Sequence, residues 1–322
     1  MSRGPLKLFT GSSHPALAQA VADRLGIPLG LTRTVRFSNE NLKVCLDESV
    51  RDADVFVIQP SCPPVSDGLI ELLIMMDALR GASAGRITVV LPYFPYVRSD
   101  KKDEPRVSIT ARLMADLIAT AGADRAICVD LHSPQVQGFC RFPVDQLSAV
   151  PMLISHVRGQ GGLEDLVVVA PDSGEVKDAA RHARRLGVPL AILDKRRTGD
   201  DEKAKAVHLI GDVAGKRCLI VDDEISTGGT VIEAASHLHA AGAKSISVAV
   251  VHGVLVGDAP ARLAAAPLDE VLVTDTLPVA DVKRGARLKV LSVAPLLADA
   301  IQRVHEGRSL SGLGGPDAYG RA

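Results

Sequence analysis

A pair of adjacent carboxylates followed by a loop of small residues is the part of the sequence best suited to chemistry. Asp222 and Asp223 end the apolar run 218–221, and the segment 226–230, Ser-Thr-Gly-Gly-Thr, follows before a helical pattern. Glycines let the backbone approach a ligand closely, and successive N–H groups at a helix N-terminus bind anions. The acidic pair suits the vicinal hydroxyls of a sugar, directly or through a metal ion. The predicted sugar-phosphate site comprises Asp222, Asp223, Ser226, Thr227, Gly228, Gly229 and Thr230.

An ordinary strand–turn–helix connection, with glycine for the turn, is the alternative interpretation of this segment. Two adjacent aspartates at the end of a buried strand are costly without a ligand, because desolvation penalises a charge. The interpretation as a binding site at the carboxyl edge of a parallel sheet is therefore favoured.

The elements that must position this site are alternating strands and helices. Short β-branched runs predict strands over residues 55–59, 86–94, 125–131, 166–170, 189–193, 218–223, 245–251 and 270–274. Helical patterns lie over residues 109–121, 175–186 and 229–241. Such alternation is typical of βαβ units and a parallel sheet.

The helix over residues 109–121 has the clearest signals of the three. Ser108 is its predicted N-cap, Gly122 its predicted C-terminal stop, and apolar residues recur every four positions at Ile109, Leu113, Leu117 and Ala121. We predict two domains, 1–148 and 149–311, joined within 143–151, and a disordered tail over 312–322.

The composition limits the class of protein. Hydrophobic residues make up 47% of the chain and Trp is absent, so Val, Leu, Ile and Ala must build the core. A formal net charge of −1 argues against a broad nucleic-acid interface, and no apolar run reaches the roughly 18 to 20 residues that span a bilayer. The five cysteines lie singly, as in a reducing cytosol. We therefore expect a cytoplasmic protein without membrane or nucleic-acid partners.

The acidic pair and its loop resemble the signature shared by type I phosphoribosyltransferases and phosphoribosyl pyrophosphate synthetases. Further motifs resemble the synthetases in family order and spacing, at residues 37–41 (Phe-Ser-Asn-Glu-Asn), 71–75 (Glu-Leu-Leu-Ile-Met), 94–103 (Phe-Pro-Tyr-Val-Arg-Ser-Asp-Lys-Lys-Asp) and 130–139 (Asp-Leu-His-Ser-Pro-Gln-Val-Gln-Gly-Phe). The resemblance extends from about Leu6 to Leu310. It implies two phosphoribosyltransferase-like domains, each a mostly parallel sheet flanked by helices, with ATP held between subunits of a homo-oligomer that is usually a hexamer.

The resemblance also implies an ATP site. Phe37 would stack on the adenine, and Asn39 and Asn41 would read its edge. An exposed aromatic residue between polar neighbours could otherwise be an ordinary turn residue. The other implied ATP-binding residues are Glu40, Arg98, Ser99 and His132.

Two strand ends supply implied ligands for Mg²⁺. His132 follows residues 129–131 and would more often be structural if it stood alone, although a neutral imidazole is a competent ligand. Beside Asp130, and with the family match, it is predicted to contact the metal or the ATP phosphates. Asp172 follows the apolar run 167–170, where the family has a metal-linked aspartate.

A cationic segment begins at Lys195 and continues through Arg197 into the polar run 198–205. Such a run is usually a solvated loop. Pyrophosphoryl transfer, however, develops charge on phosphoryl oxygens, so mobile cations that close over it are an expected catalytic device. The resemblance gives this role to Lys195 and Arg197, and Arg197 is also assigned to the ribose 5-phosphate site.

The chain departs from the family pattern at four positions. Ser99 stands where the family has Gln, Asn41 where it has Glu, Glu175 where it has Gly, and Ser226 where it has Asp. These departures predict a divergent branch.

The predicted reaction is ATP plus ribose 5-phosphate giving AMP plus 5-phosphoribosyl 1-diphosphate. A regulatory subunit that keeps the fold without activity is one alternative, against which Lys195, Arg197, His132 and Asp222 argue. A phosphoribosyltransferase that consumes the diphosphate is the other, against which the double-length chain and the motif at 94–103 argue.

Overall fold

The computed structural model describes residues 4–197, 205–279 and 287–313, and the side chains of residues 195–197 and 205–207 lie outside this description. The chain divides into two compact units. The first contains the chain up to Ala149, Thr276–Pro278 and the segment that begins at Ser292. The second contains Val150–Asp275 and Val279–Leu291.

The first unit is built on a parallel sheet whose strands lie in the order β1-β4-β5-β6-β7. All five residues of the interior strand β4 are buried, which explains the continuous apolar run that follows Asp54. Strands β2 and β3 form a separate antiparallel hairpin. The elements are β1 (Leu6–Thr10), α1 (Pro15–Leu25), β2 (Thr32–Arg36), β3 (Leu42–Leu46), β4 (Asp54–Ile58), α2 (Val65–Gly81), β5 (Arg86–Leu91), α3 (Thr110–Ala121), β6 (Arg125–Val129) and β7 (Val144–Leu147).

The second unit is built on a seven-stranded sheet in the order β10-β9-β8-β11-β12-β13-β14. All neighbours in it are parallel except β9 and β10. The elements are α4 (Val150–Gly159), β8 (Leu166–Ala170), α5 (Val176–Leu186), β9 (Leu190–Arg197), β10 (Lys205–Ile210), β11 (Arg217–Ile225), α6 (Gly229–Ala240), β12 (Ser245–Gly253), α7 (Ala259–Ala265), β13 (Glu270–Thr274) and β14 (Leu288–Leu291).

The last helix, α8 (Ala294–Glu306), belongs to the first unit and packs on α1. Its His305 Nδ1 lies 2.8 Å from an oxygen of the buried Asp54. Arg86 binds the same carboxylate through two bonds of 2.7 and 2.6 Å. The predicted second domain, 149–311, therefore differs from the observed unit in this segment, because the packing partners of α8 lie at the beginning of the chain.

The boundary between the two units and the C-terminal segment can be set beside the predicted joint and the predicted tail. The division between Ala149 and Val150 lies within the predicted joint 143–151, which contains β7 and the first two residues of α4. Residues 314–322 of the predicted tail lie outside the described residues.

Helix α3 forms where its spacing predicts, but its predicted N-cap is wrong. Ile109 rather than Ser108 is the N-cap, and the Ser99 hydroxyl lies 3.4 Å from the Thr110 nitrogen and 3.2 Å from its hydroxyl. The buried residues are Ala111, Met114, Ala115 and Ile118. The predicted stripe contains Leu113 and Leu117, which are 48% and 37% exposed.

Two structural observations concern the cysteines and the possibility of membrane-spanning helices. All five cysteines are free. In the described ranges, no helix is both long and apolar enough to cross a bilayer.

Candidate active site

The acidic pair lies on the central strand of the second sheet. Strand β11 pairs with β8 on one side and β12 on the other, and extends to Ile225, beyond the predicted end at residue 223. Asp222 and Asp223 are half-buried near the carboxyl end of this strand. The parallel sheet therefore presents both carboxylates at the predicted edge.

The segment 226–230, here named the phosphate loop, ends at the start of α6. Gly228 has φ 76° and is the N-cap of the helix. A side chain there would be strained by the left-handed backbone, and its Cβ would lie 3.4 Å from Leu263. Because glycine has no side chain to cap the helix, the first N–H groups of α6 can serve an anion.

Neighbouring segments hold the main chain of the phosphate loop. The Val256 N–H donates to the carbonyl of Ser226 at 3.1 Å. Arg262 Nη1 donates to the carbonyl of Thr227 at 3.2 Å. Both carbonyls therefore accept hydrogen bonds from neighbouring segments, and these bonds fix the backbone conformation of the loop.

A third carboxylate joins the pair. Oxygens of Glu175, Asp222 and Asp223 lie within 4.8 Å of one another, and all three residues are half-buried. Burial, then the hydrogen bond and charge of Asp223 and the charge of Glu175, raises the pKa of Asp222 well above its ordinary range. Such a set of oxygens fits a hard cation such as Mg²⁺, whose charge would offset the mutual repulsion.

Asp172 also holds the turn that carries Glu175. Its Oδ1 accepts the N–H of Gly174 at 2.8 Å and the N–H of Glu175 at 3.3 Å. These bonds shape the turn between β8 and α5, with Glu175 as the N-cap residue of α5. Asp172 thus positions Glu175, which sequence reasoning noted only as a departure from the family. The adjacency of β8 and β11 was the missing signal, because neighbouring parallel strands end at one edge.

The predicted catalytic residues lie at the end of β9, the neighbour of β8. Lys195 and Arg197 pair through the backbone with Val207 and Lys205 of β10. Their side chains and residues 198–204 lie outside the described residues. Their catalytic role stays a prediction.

The predicted adenine-binding residues form the turn of the β2–β3 hairpin in the first unit. The Phe37 N–H donates to the Asn41 carbonyl at 2.9 Å, and the Glu40 N–H donates back to the Phe37 carbonyl at 2.9 Å. The Asn39 side chain accepts the Asn41 N–H at 3.2 Å. The Phe37 side chain is 48% exposed. The turn therefore offers an aromatic face to solvent, and Glu40 forms an ion pair with Arg36.

The other predicted ATP-binding residues follow the neighbouring parallel strands β5 and β6. Arg98 and His132 are exposed. The carboxylate of Asp130 accepts the Ser148 hydroxyl at 2.8 Å and the Ala149 N–H at 2.6 Å, which fixes the backbone before His132. Ser99 is hydrogen-bonded to Thr110 at the start of α3 and so supports that helix.

Comparison with known proteins agrees with this architecture. The family model for the N-terminal domain of ribose phosphate pyrophosphokinase matches residues 6–122. The family model for the phosphoribosyl synthetase-associated domain matches residues 198–314. A ribose-phosphate pyrophosphokinase of Clostridium acetobutylicum is 48% identical, over 95% of this chain and 96% of its own. One of Deinococcus radiodurans is 50% identical, over 97% and 98%.

A solved structure extends the match to three dimensions. The crystal structure of phosphoribosylpyrophosphate synthetase from Mycobacterium smegmatis aligns with a TM-score of 0.89 at 46% identity, covering 94% of this chain and 99% of that one. The predicted fold class is thereby confirmed. The chain is an enzyme that belongs to the ribose-phosphate pyrophosphokinase family.

Proposed function

We propose that the enzyme transfers the pyrophosphoryl group of Mg²⁺-bound ATP to the anomeric hydroxyl of ribose 5-phosphate. The hydroxyl oxygen attacks the β-phosphorus and loses its proton, the bond from that phosphorus to the α,β-bridging oxygen breaks, and AMP leaves. The observation that carries the proposal is the phosphate loop beside a pair of carboxylates at the end of β11. The products are AMP and 5-phosphoribosyl 1-diphosphate.

The phosphate loop supports the sugar-phosphate half of the reaction. The first N–H groups of α6, with the hydroxyls of Ser226, Thr227 and Thr230, supply donors for the 5-phosphate. Asp222 and Asp223 supply acceptors for the ribose hydroxyls. A bound sugar so oriented exposes its anomeric hydroxyl for transfer, and positioning accounts for much of the catalysis in such reactions.

The cluster of Glu175, Asp222 and Asp223 supports a requirement for Mg²⁺, because its closely spaced oxygens are hard ligands. His132 and Asp172 are the proposed protein contacts of the metal that accompanies ATP. When bound, Mg²⁺ would neutralise charge that develops on the phosphoryl oxygens. Lys195 and Arg197 are proposed to donate to the same oxygens in the transition state.

We further propose that the enzyme acts in the cytoplasm as a homo-oligomer, a hexamer in the usual family form, with Phe37, Asn39, Asn41 and Arg98 at the nucleotide. The exposed Leu113 and Leu117 support the assembly, because they give α3 an apolar outer face that another copy could cover. Sedimentation analysis of the purified enzyme tests the assembly.

One assay tests the reaction against its alternatives. AMP release from ATP is measured with and without ribose 5-phosphate and Mg²⁺, and we expect AMP only when both are present. ADP as the product would identify an ordinary kinase and contradict the proposal. Binding without turnover would instead identify a regulatory subunit, and consumption of the diphosphate with a nucleobase would identify a phosphoribosyltransferase.

A further inference from the structure

The buried carboxylate of Glu71 on α2 is a hydrogen-bonding centre in the first unit. Glu71 is 2% exposed. It accepts the Ser12 N–H at 2.9 Å, the Ser12 hydroxyl at 2.5 Å and the Gln59 side-chain amide at 2.9 Å. The Thr34 hydroxyl donates to its other oxygen at 2.7 Å. Ser12 and Gln59 follow β1 and β4, whereas Thr34 lies on the β2–β3 hairpin.

The main-sheet side of this network is closely packed. Gln59 Oε1 accepts the Ser13 N–H at 3.1 Å, and Gln59 Nε2 also donates to the Gly68 carbonyl at 3.1 Å. A Cβ on Gly11 would lie 2.6 Å from the Gln59 side chain. The carboxylate of Glu71 is therefore held in a fixed position relative to β1 and β4.

Strand β2 of the hairpin, in contrast, is mostly exposed, whereas β3 packs on α2 and buries Val44. Four of the five residues of β2 are exposed, and the hairpin is not part of the main sheet. A two-stranded hairpin is at best marginally stable by itself. Its orientation must come from contacts with the rest of the unit.

Helix α2 contacts the hairpin with two carboxylates one turn apart. Asp67 and Glu71 are four residues apart and share a helix face. They meet Arg36 and Thr34, which share a face of β2 because side chains alternate along a strand. The Asp67–Arg36 pair is exposed, and such pairs contribute little to stability. Of these two contacts, the hydrogen bond from Thr34 to Glu71 is the one whose acceptor is buried and fixed.

We propose that Glu71 is a positioning residue that orients the hairpin through Thr34 and so sets the affinity for the adenine nucleotide. The inference rests on the proposed role of the hairpin turn at Phe37, only three residues from Thr34. A hairpin held in the binding orientation loses less conformational freedom when the nucleotide binds. Release of the hairpin therefore weakens ATP binding and leaves ribose 5-phosphate binding and the chemical step unchanged.

Thr34→Val tests the inference with an isosteric change that removes only the hydroxyl. We expect the KM for ATP to rise roughly 3- to 10-fold, which is less than for loss of a direct hydrogen bond to a charged group, because this bond acts on the nucleotide only through the orientation of the hairpin. The KM for ribose 5-phosphate and kcat should stay near the parent values. Hydrogen exchange without nucleotide should become faster at the Phe37 and Glu40 amides. Thr32→Val is the matched control on the same face of β2.

Substitutions at Glu71 test the other end of the bond. Glu71→Ala should raise the KM for ATP at least as much as Thr34→Val, with a lower Tm because buried donors lose their acceptor. Glu71→Gln should recover most of the affinity, because its oxygen can accept from Ser12 and Gln59 while its NH₂ donates to the Thr34 hydroxyl.

The outcomes separate the inference from the proposed function. If Phe37→Ala raises the KM for ATP but Thr34→Val behaves like Thr32→Val, the positioning role of Glu71 is overturned. If Phe37→Ala also leaves the KM for ATP unchanged, the adenine site itself is misassigned and the inference fails with it. The inference is supported if the KM for ATP rises for Thr34→Val but not for Thr32→Val.

Discussion

In the phosphate loop of the second unit the candidate donors are mainly backbone amides, whereas in the β2–β3 hairpin of the first unit the candidate contacts are side chains. The loop is formed by a left-handed glycine at a helix N-terminus on a central strand. The hairpin carries an exposed Phe37 on a ribbon outside the main sheet. Recognition of the sugar phosphate should therefore depend on backbone conformation, and recognition of the nucleotide on side-chain identity and hairpin orientation.

Lys195→Ala should give the largest effect, and this effect should be on kcat rather than on the KM of either substrate. Because the lysine is proposed to act mainly in the transition state, kcat should fall roughly 10²-fold or more while both KM values change little. Steady-state kinetics with each substrate varied measures this. A raised KM with unchanged kcat would assign the lysine to substrate binding.

Phe37→Ala tests whether side-chain identity governs the hairpin. Loss of the stacking contact with a base costs about 1 to 3 kcal/mol, so the KM for ATP should rise by roughly 5- to 150-fold. The KM for ribose 5-phosphate should not change. Val35→Ala, at another exposed position of the hairpin, is the control, and an equal effect of both variants would mean that general hairpin damage is responsible.

Gly228→Ala tests whether backbone conformation governs the phosphate loop. A side chain at φ 76° costs about 1 to 2 kcal/mol if the loop keeps its shape, so the KM for ribose 5-phosphate should rise roughly 5- to 30-fold. Gly187→Ala is a matched control, because Gly187 has the same φ of 76° at the C-terminal end of α5, with open space around its Cβ position.

Both glycine variants should lose stability, measured as Tm. Only Gly228→Ala should lose affinity for the sugar phosphate. If the control lost it equally, the effect would come from general destabilisation.

Ser226 should give the smallest effect, because the loop keeps its amides without this hydroxyl. Ser226→Ala and Ser226→Asp should each raise the KM for ribose 5-phosphate by about 2- to 10-fold, through a lost hydrogen bond in one and a charge facing the phosphate in the other. Two variants that both behave like the parent would show that Ser226 does not touch the phosphate.

The same contrast explains which parts of the molecule could be predicted from sequence. Strand β11, the phosphate loop and α6 are contiguous in sequence, so the local patterns around Asp222 and Gly228 were sufficient to predict all three. Neither hairpin strand was predicted. Strand β2 is exposed and lacks the apolar alternation of a core strand, whereas β3 does alternate, at Leu42, Val44 and Leu46, and was missed. The turn of the hairpin was found only through the family resemblance at Phe37.

Non-local features could not be predicted because they depend on sheet order and helix packing. Glu175 reaches the acidic pair only because β8 is the neighbour of β11. The partners of Glu71 come from three distant segments of the chain. On α3, periodicity predicted the helix correctly, but Leu113 and Ile118 are equally apolar and only packing distinguishes the exposed residue from the buried one.

The return of α8 to the first unit has a consequence for synthesis of the chain on the ribosome. Domains generally fold as units during translation, beginning with the N-terminal one. Here the first unit needs a helix that is made after the whole sheet of the second unit, and the partners of Asp54 include His305, 251 residues away. The second unit, although encoded later, has its whole sheet available by Leu291 and can close first. The first unit is therefore the one whose folding must wait until the second unit and α8 have been made.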